Sequence, residues 1–158
     1  MAANSSRSKG FHSERFYMNV FKELGYTRCI TSRHGSKYYD DTGIDLLNLP
    51  FNVQIKAGTQ KRMIPARVYE EITLKIKENF EEDSPESIKP LIVIHRPSAY
   101  AKDFRKDMVY ISKTDLIKLN YKEDFTEVKI SSQVLKTLTL KSEIVKVKFT
   151  DIFQYLKK

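Results

Sequence analysis

Residues 43–56 read Gly-Ile-Asp-Leu-Leu-Asn-Leu-Pro-Phe-Asn-Val-Gln-Ile-Lys, and the fold is inferred outward from this stretch. Asn48 and Pro50 separate two apolar runs, which predicts one strand over residues 43–49 and another over residues 51–57. Because the gap between the two runs is short, we expect these strands to pair as an antiparallel hairpin.

Polar and apolar side chains alternate in the second of these strands. Since successive side chains of a strand point to opposite faces, Gln54 and Lys56 share one face and Val53 and Ile55 share the other. We expect the apolar pair to pack into the core and the polar pair to face a cleft. Asp45, on the neighbouring strand, is expected to stand beside that polar pair.

These residue types suit metal-assisted hydrolysis of a phosphodiester. Asp45 and Gln54 offer oxygen ligands, which Mg²⁺ prefers. A bound metal polarises the phosphate and lowers the pKa of the attacking water, while Lys56 stabilises the developing negative charge. Glu14, on a predicted helix that precedes the strands, can reach the same site as a further metal ligand.

The flanking segments predict alternating helices and strands. Apolar residues at helical spacing predict one helix over residues 13–24 and a second over residues 65–80, with Pro65 in its first turn. A strand is predicted over residues 26–31 and a polar loop over residues 32–42. The remaining predicted elements are strands at 91–95, 108–111, 125–130 and 143–149 and short helices at 114–119 and 151–156.

Length and composition indicate one domain. The chain has 158 residues, of which 41% are hydrophobic, enough to bury a core. Residues 1–10 are small and polar, and we expect them to form a flexible basic arm. Residues 11–158 are expected to form a single domain, with a core over about 11–112 and a β-rich extension over 113–158.

Several classes of protein are excluded. Cys29 is the single cysteine, so the chain forms neither an internal disulfide nor a cysteine-based zinc site. No apolar run approaches the roughly 18 residues of a membrane span. The polar start lacks the apolar segment of a secretory signal. We therefore expect a cytoplasmic protein, in the interior of the host cell if it is viral, without a membrane partner.

Basic residues outnumber acidic ones. Lys and Arg total 28 against 20 Asp and Glu, and the resulting net charge of +8 favours a polyanionic partner. Arg33, Lys37, Lys61 and Arg62 flank the candidate site, and such residues make most protein contacts to phosphate. The alternative is that these side chains only solvate the surface.

The combined pattern resembles the PD-(D/E)XK nuclease superfamily and is most similar to the archaeal and phage type of Holliday junction resolvase. The resemblance covers about residues 10–112. It consists of a leading helix with Glu14, a polar loop that holds basic and hydroxyl residues at 32–37, Asp45 at the start of the second strand, and Gln54-Ile55-Lys56 in place of acid-x-Lys.

This resemblance implies an α/β fold with a restriction-endonuclease-like core, in which a central mixed β-sheet is flanked by helices in α-β-β-β-α-β order. It also implies a homodimeric, Mg²⁺-dependent endonuclease that cleaves branched DNA, accepts Mn²⁺ as a substitute and needs no organic cofactor. The implied catalytic residues are Glu14, Asp45, Gln54 and Lys56, of which Glu14, Asp45 and Gln54 hold the metal. The implied DNA contacts are Arg33, Ser36, Lys37, Lys61 and Arg62.

Gln54 departs from the family pattern, which has Asp or Glu at this position. Its amide oxygen can ligate Mg²⁺ but carries no charge, so we expect weakened metal affinity. Asp40 and Asp41 lie nearby in sequence and can supply a carboxylate. Two alternatives stay open: a nuclease of the same superfamily that acts on duplex DNA in restriction or repair, and a catalytically inactive DNA-binding or virion-associated protein with this fold.

Overall fold

The computed structural model of the protein describes residues 2–59, 63–139 and 143–158. Its two long helices are α1 (Ala2–Glu23) and α4 (Pro65–Asn79). The short helices are α2 (Ser32–Gly35), α3 (Lys37–Thr42), α5 (Pro85–Ile88), α6 (Lys113–Lys118), α7 (Ser132–Thr137) and α8 (Phe149–Ile152), the last continued by a 3₁₀ turn at Phe153–Leu156. The strands are β1 (Ile30–Thr31), β2 (Leu46–Leu47), β3 (Asn52–Ala57), β4 (Leu91–Arg96), β5 (Met108–Ser112), β6 (Thr126–Glu127) and β7 (Ile144–Lys148).

Within these residues, five strands form a mixed sheet in the order β3-β4-β5-β7-β6. The β3–β4 pair is parallel, and the other neighbours are antiparallel. Helices flank this sheet, which confirms the predicted α/β class. The strands of the predicted β-rich extension belong to the same sheet, because β7 lies between β5 and β6.

The sheet separates two hydrophobic clusters, one on each of its faces, and the side chains of β4 contribute to both. Ile92 and Ile94 pack with the apolar face of α1, whereas Leu91 and Val93 pack with that of α4. The continuous apolar run of β4 is therefore explained by burial on both faces. The predicted strand at 91–95 is confirmed.

The two long helices were predicted with different success. Helix α4 matches the prediction, with Ala66, Tyr69, Ile72 and Ile76 buried. Helix α1 begins at Ala2 rather than at residue 13, so the segment predicted as a flexible arm is helical. This extension contacts a distant part of the chain, and a local stretch of sequence does not reveal such contacts. One of them is the 3.1 Å contact between His12 Nδ1 and the Ala99 carbonyl oxygen.

The predicted hairpin is wrong. β2 pairs antiparallel with β1, and β3 pairs parallel with β4. The Asp45 N–H donates to the Val53 carbonyl at 2.7 Å, but no antiparallel ladder joins these segments among the described residues. The predicted strands at 26–31 and 43–49 shrink to two residues each. Asn48 adopts a φ of 67° directly after β2, which ends that strand.

The predicted polar loop over residues 32–42 contains the two short helices α2 and α3. Gly43 follows α3 with a φ of 92°, the left-handed conformation that favours glycine at a helix end. In the C-terminal part, α6 matches the predicted helix at 114–119, and the Ser112 side chain caps its start. Helix α7 lies in a region for which no helix was predicted.

A buried arginine fixes the loop between β4 and β5. Arg96 is fully buried, and its Nη1 atom donates to Asp107 Oδ2 at 2.8 Å and to the Asp103 carbonyl at 3.0 Å. Its guanidinium also lies 3.7 Å from the ring centroid of Phe16 on α1. These contacts hold the loop, residues 97–107, against α1. Among the described residues, no helix is long and apolar enough to cross a lipid bilayer.

Candidate functional site

Asp45 and Gln54 are in direct contact at the edge of β3. Asp45 is 6% exposed, and its Oδ2 atom accepts hydrogen bonds from the Ile55 N–H at 2.7 Å and from Gln54 Nε2 at 3.0 Å. The backbone bond between Asp45 and Val53 holds the two segments side by side. The predicted neighbourhood of these two side chains therefore forms without the predicted hairpin.

The alternation predicted for β3 is confirmed. Val53 and Ile55 are buried in the core that faces α1, whereas Gln54 and Lys56 are partly exposed. Within the described part of the chain, the Lys56 ammonium forms no ion pair and no hydrogen bond. Its charge lies close enough to Asp45 to oppose, in small part, the rise in the pKa of that carboxyl group that burial causes.

Glu14 lies on α1 and binds Arg33 of α2. Arg33 Nε donates to Glu14 Oε2 at 2.8 Å, and Arg33 Nη2 donates to Glu14 Oε1 at 3.1 Å. Glu14 is 4% exposed, whereas the Arg33 side chain is one-third exposed. Gly10 adjoins this pair, because a Cβ at that position would be in ordinary van der Waals contact with Arg33 Nη2, at 3.7 Å.

Burial and mutual repulsion raise the pKa values of both acids. For Asp45, burial is the larger cause, and the nearby charge of Glu14 adds to it. For Glu14, burial outweighs the opposing effect of the Arg33 hydrogen bond. Two acids that destabilise each other's charged forms in a desolvated place are typical of functional sites. A bound cation would relieve both effects.

Asp40 and Asp41 differ in their relation to this pair. Asp40, in α3, contributes to the raised pKa of both Glu14 and Asp45, and its Oδ1 atom accepts a 3.2 Å hydrogen bond from Ser32 Oγ. Asp41 is exposed and contributes to neither. Of the two acids suggested as substitutes for the missing carboxylate, Asp40 is the one near the site.

The orientation of the Gln54 amide decides how well the site fits a metal. Its Nε2 faces Asp45, whereas its Oε1 lies 3.1 Å from the place that a Cβ on Gly43 would occupy. Across the described ranges, no group of three or more His, Cys, Asp or Glu side chains could hold a metal ion. Two carboxylates and one amide still fit Mg²⁺ by donor type, provided that the amide turns its oxygen toward Asp45.

The predicted DNA-contacting residues are placed unequally. Arg33 is engaged by Glu14. Ser36 is partly exposed and separates α2 from α3, and Lys37 is exposed at the start of α3. Lys61 and Arg62 lie outside the described residues.

The sequence interpretation missed the role of Arg33. It was assigned to phosphate, yet it is the partner of Glu14, 19 positions away in the chain. An acid on one helix and a base on another carry no local signal of pairing. Lys9 was also missed, because it fell in the predicted arm; its Cδ atom lies 3.8 Å from the Cβ position of Gly58, two residues beyond Lys56.

Comparison of the chain with protein-family models, with curated proteins and with solved structures found no match.

Proposed function

We propose that this protein is a Mg²⁺-dependent endodeoxyribonuclease. The observation that carries the proposal is the contact of Asp45 with Gln54, at 3.0 Å, inside the field of Glu14 and Lys56. Four residues from α1, β3 and the segment before β2 thus act on one another. Two buried carboxylates that repel each other beside a partly exposed lysine lower the stability of the fold. A catalytic role explains why such a cluster is present.

Each residue has a role in this proposal. Asp45 and Gln54 hold the metal, and Glu14 assists through one of its two oxygens. The metal, when bound, polarises the phosphate and lowers the pKa of the attacking water. The ammonium of Lys56, which has no partner among the described residues, stabilises the charge that develops on the phosphate. Arg33 favours the ionised form of Glu14, against the effect of burial, and orients its carboxylate for substrate and metal.

Branched DNA, such as a four-way junction, is the proposed substrate, and a homodimer is the proposed active form. Both proposals rest on the resemblance to junction resolvases, because symmetric strand cleavage needs two copies of the site. The net charge of +8 and the exposed Lys37 at the start of α3, the helix that carries Asp40, favour a DNA partner in general. A nuclease for linear duplex DNA is the alternative within the same chemistry.

One observation favours a second candidate, a DNA-binding protein without catalysis. Gln54 already donates to Asp45, and Arg33 already neutralises Glu14, so much of the acidic charge is balanced without a metal. A site that has replaced a metal by internal hydrogen bonds would look like this. The two candidates differ in whether DNA is cut.

The deciding experiment compares end-labelled four-way junction, flap and linear duplex of equal length, in MgCl₂ and in EDTA. Wild-type protein is expected to cut the junction best and only with Mg²⁺. Asp45→Asn and Lys56→Met are expected to lower the cleavage rate at least about 100-fold. Lys77→Met, which changes an exposed lysine on α4, is the matched control and should cut normally.

Cleavage of all three substrates at equal rates would refute specificity for branches but not the nuclease. DNA binding without cleavage by any preparation of the wild-type protein would favour the non-catalytic candidate. Cleavage that persists in Asp45→Asn would refute the assigned site.

A further inference from the structure

A surface next to the candidate site presents an aromatic side chain that is held in place yet open to solvent. Tyr100, in the loop 97–107 between β4 and β5, is 53% exposed. Its hydroxyl oxygen lies 3.1 Å from Ser8 Oγ, and its ring packs against the His12 ring with centroids 4.8 Å apart. Ser8 and His12 are one helical turn apart on α1, so one face of that helix positions the tyrosine.

The loop that carries Tyr100 is well fixed. The buried Arg96 binds the carbonyl groups of Ala101 and Asp103, which follow Tyr100, and His12 binds the carbonyl of Ala99 directly before it. A ring on such a support loses little conformational entropy when a ligand stacks on it. Loop 97–107 therefore offers a preorganised contact.

Cations are present on both segments that meet at Tyr100. Arg7 and Lys9 flank Ser8 on α1, and Lys102 and Lys106 belong to loop 97–107. Within the described part of the chain none of the four forms an ion pair. Arg105 differs, because Asp103 binds it at 3.1 Å. An open hollow of about 390 Å³ lies on the same loop, lined by Ser98, Ala101, Asp103, Arg105, Lys106 and Asp107.

The surface adjoins the candidate site. Lys9 lies over Gly58, two residues beyond Lys56, and the Gly58 carbonyl contacts His95 Nε2 at 2.9 Å. Lys9 also lies in the chain between Ser8, whose Oγ is 3.1 Å from the Tyr100 hydroxyl oxygen, and Gly10, whose Cβ position is 3.7 Å from Arg33 Nη2. A DNA strand that occupied the site would pass close to Tyr100.

We propose that Tyr100, with Arg7, Lys9, Lys102 and Lys106, binds a single-stranded segment of DNA, with an unpaired base stacked on the tyrosine ring. Exposed aromatic rings among cations bind single strands because every base has a stacking face and every linkage a negative charge. Paired bases inside a duplex offer no such face. The choice of DNA as the ligand rests on the proposed function.

The test is fluorescence anisotropy in EDTA with two labelled DNAs that share one duplex. One is blunt, and the other carries a single-stranded arm of about ten nucleotides, the order of a single-strand binding site. Tyr100→Leu is expected to lower the affinity for the armed DNA about 5- to 100-fold, as loss of one stacked base does, and to leave the affinity for the blunt DNA unchanged. Tyr100→Phe keeps the ring and should bind both DNAs like wild type.

Phe125→Leu is the matched control, since Phe125 is 46% exposed and lies within 6.0 Å of a lysine ammonium, that of Lys113. It should bind both DNAs like wild type. A second variant, Lys102→Gln with Lys106→Gln, tests the cations without altering the ring. Its affinity for the armed DNA should depend less steeply on salt concentration, because fewer counterions are released.

Equal affinities of wild type and Tyr100→Leu for the armed DNA would overturn the inference, as would equal losses on both DNAs or no binding by the wild type. Because EDTA prevents metal-dependent cleavage, the outcome is independent of the nuclease assay. Tyr100-dependent binding by a protein that never cuts DNA would support this inference and refute the proposed nuclease.

Discussion

Arg33 binds both carboxylate oxygens of Glu14, at 2.8 and 3.1 Å, and thereby links α2 to α1 beside Asp45. A bidentate pair of this kind fixes the carboxylate in orientation as well as in charge. Any cation that binds Glu14 must share it with Arg33. The geometry of the candidate site therefore depends on a residue that the sequence had assigned to the DNA backbone.

Removal of Arg33 is expected to destabilise the fold. Arg33→Gln leaves Glu14, which is 4% exposed, without its partner and should lower the free energy of unfolding by about 1–2 kcal/mol. The double variant with Glu14→Gln should regain most of this loss, because no buried charge is left unpaired. Urea denaturation measures both values. Arg28→Gln, at an exposed arginine, serves as control, and an unchanged stability of Arg33→Gln would contradict the prediction.

Asp45→Asn is expected to stabilise the protein in EDTA at pH 7. The folded state raises the pKa of Asp45 above its ordinary value, so the ionised form costs stability as the pH rises through that pKa. The neutral amide avoids this cost, and the gain should be on the order of 1 kcal/mol or more. The gain should shrink as the pH is lowered, because the wild-type carboxyl group then becomes neutral too.

Urea denaturation between pH 7 and pH 5 checks the size and the sign of this trend. Asp41→Asn is the matched control, since Asp41 is exposed and should show no such gain. A variant Asp45→Asn that is less stable than wild type at pH 7 would mean that its hydrogen bonds outweigh its burial. If Asp45→Asn is more stable but inactive, the carboxyl group of Asp45 lowers the stability of the fold and is kept for activity.

Elements with a strong local pattern were predictable. The alternation in β3 placed Gln54 and Lys56 on one face, and the spacing of apolar residues predicted α4 almost to the residue. These patterns report which side of an element is buried, and burial is what a short stretch of sequence encodes best. The contact of Asp45 with Gln54 could be predicted because the two residues are only nine positions apart in the chain.

Contacts between distant segments were not predictable. The pairing of β3 with β4 depends on α4, which returns the chain so that the two strands run parallel. As a result β2 pairs with β1 and not with β3. Arg96 sits at the end of an apolar run and gives no sign that it will be wholly buried. The helical start of α1 likewise accompanies tertiary contacts with loop 97–107 rather than a marked helix propensity.

Gln54→Glu is expected to strengthen metal binding. A third carboxylate near Asp45 and Glu14 adds charge that attracts Mg²⁺ and, without Mg²⁺, adds repulsion. The variant should melt at a lower temperature than wild type in EDTA and show a larger increase on addition of MgCl₂. Its cleavage rate should exceed that of wild type. If Gln54→Glu and wild type are both inert on every DNA, the catalytic proposal has to be abandoned.

Asp107 is expected to matter for stability and not for metal binding. It is 2% exposed and pairs with Arg96, and Tyr17 also donates to it. Asp107→Ala leaves a buried guanidinium unpaired and should cost about 3–5 kcal/mol of unfolding free energy. Asp103→Ala removes an exposed partner of Arg105 and should cost under about 1 kcal/mol. Similar losses in the two variants, measured by urea denaturation, would contradict the prediction.

Gly43→Ala and Gly25→Ala separate backbone strain from an effect on the site. Both glycines have positive φ, 92° and 109°, so alanine should cost each variant about 1–2 kcal/mol. A Cβ on Gly25 would meet the Lys158 side chain at 3.0 Å, near the end of the chain. A Cβ on Gly43 would lie 3.1 Å from Gln54 Oε1 and press on the amide that contacts Asp45.

Both variants should therefore melt at a lower temperature, but only Gly43→Ala should change the response to MgCl₂. Displacement of the Gln54 amide should abolish most of the increase in melting temperature that Mg²⁺ gives the wild type. Thermal melts with and without MgCl₂ measure this difference. An equal Mg²⁺ response in the two variants would show that Gln54 is not a ligand, since the atom next to the new methyl group would then be irrelevant to metal binding.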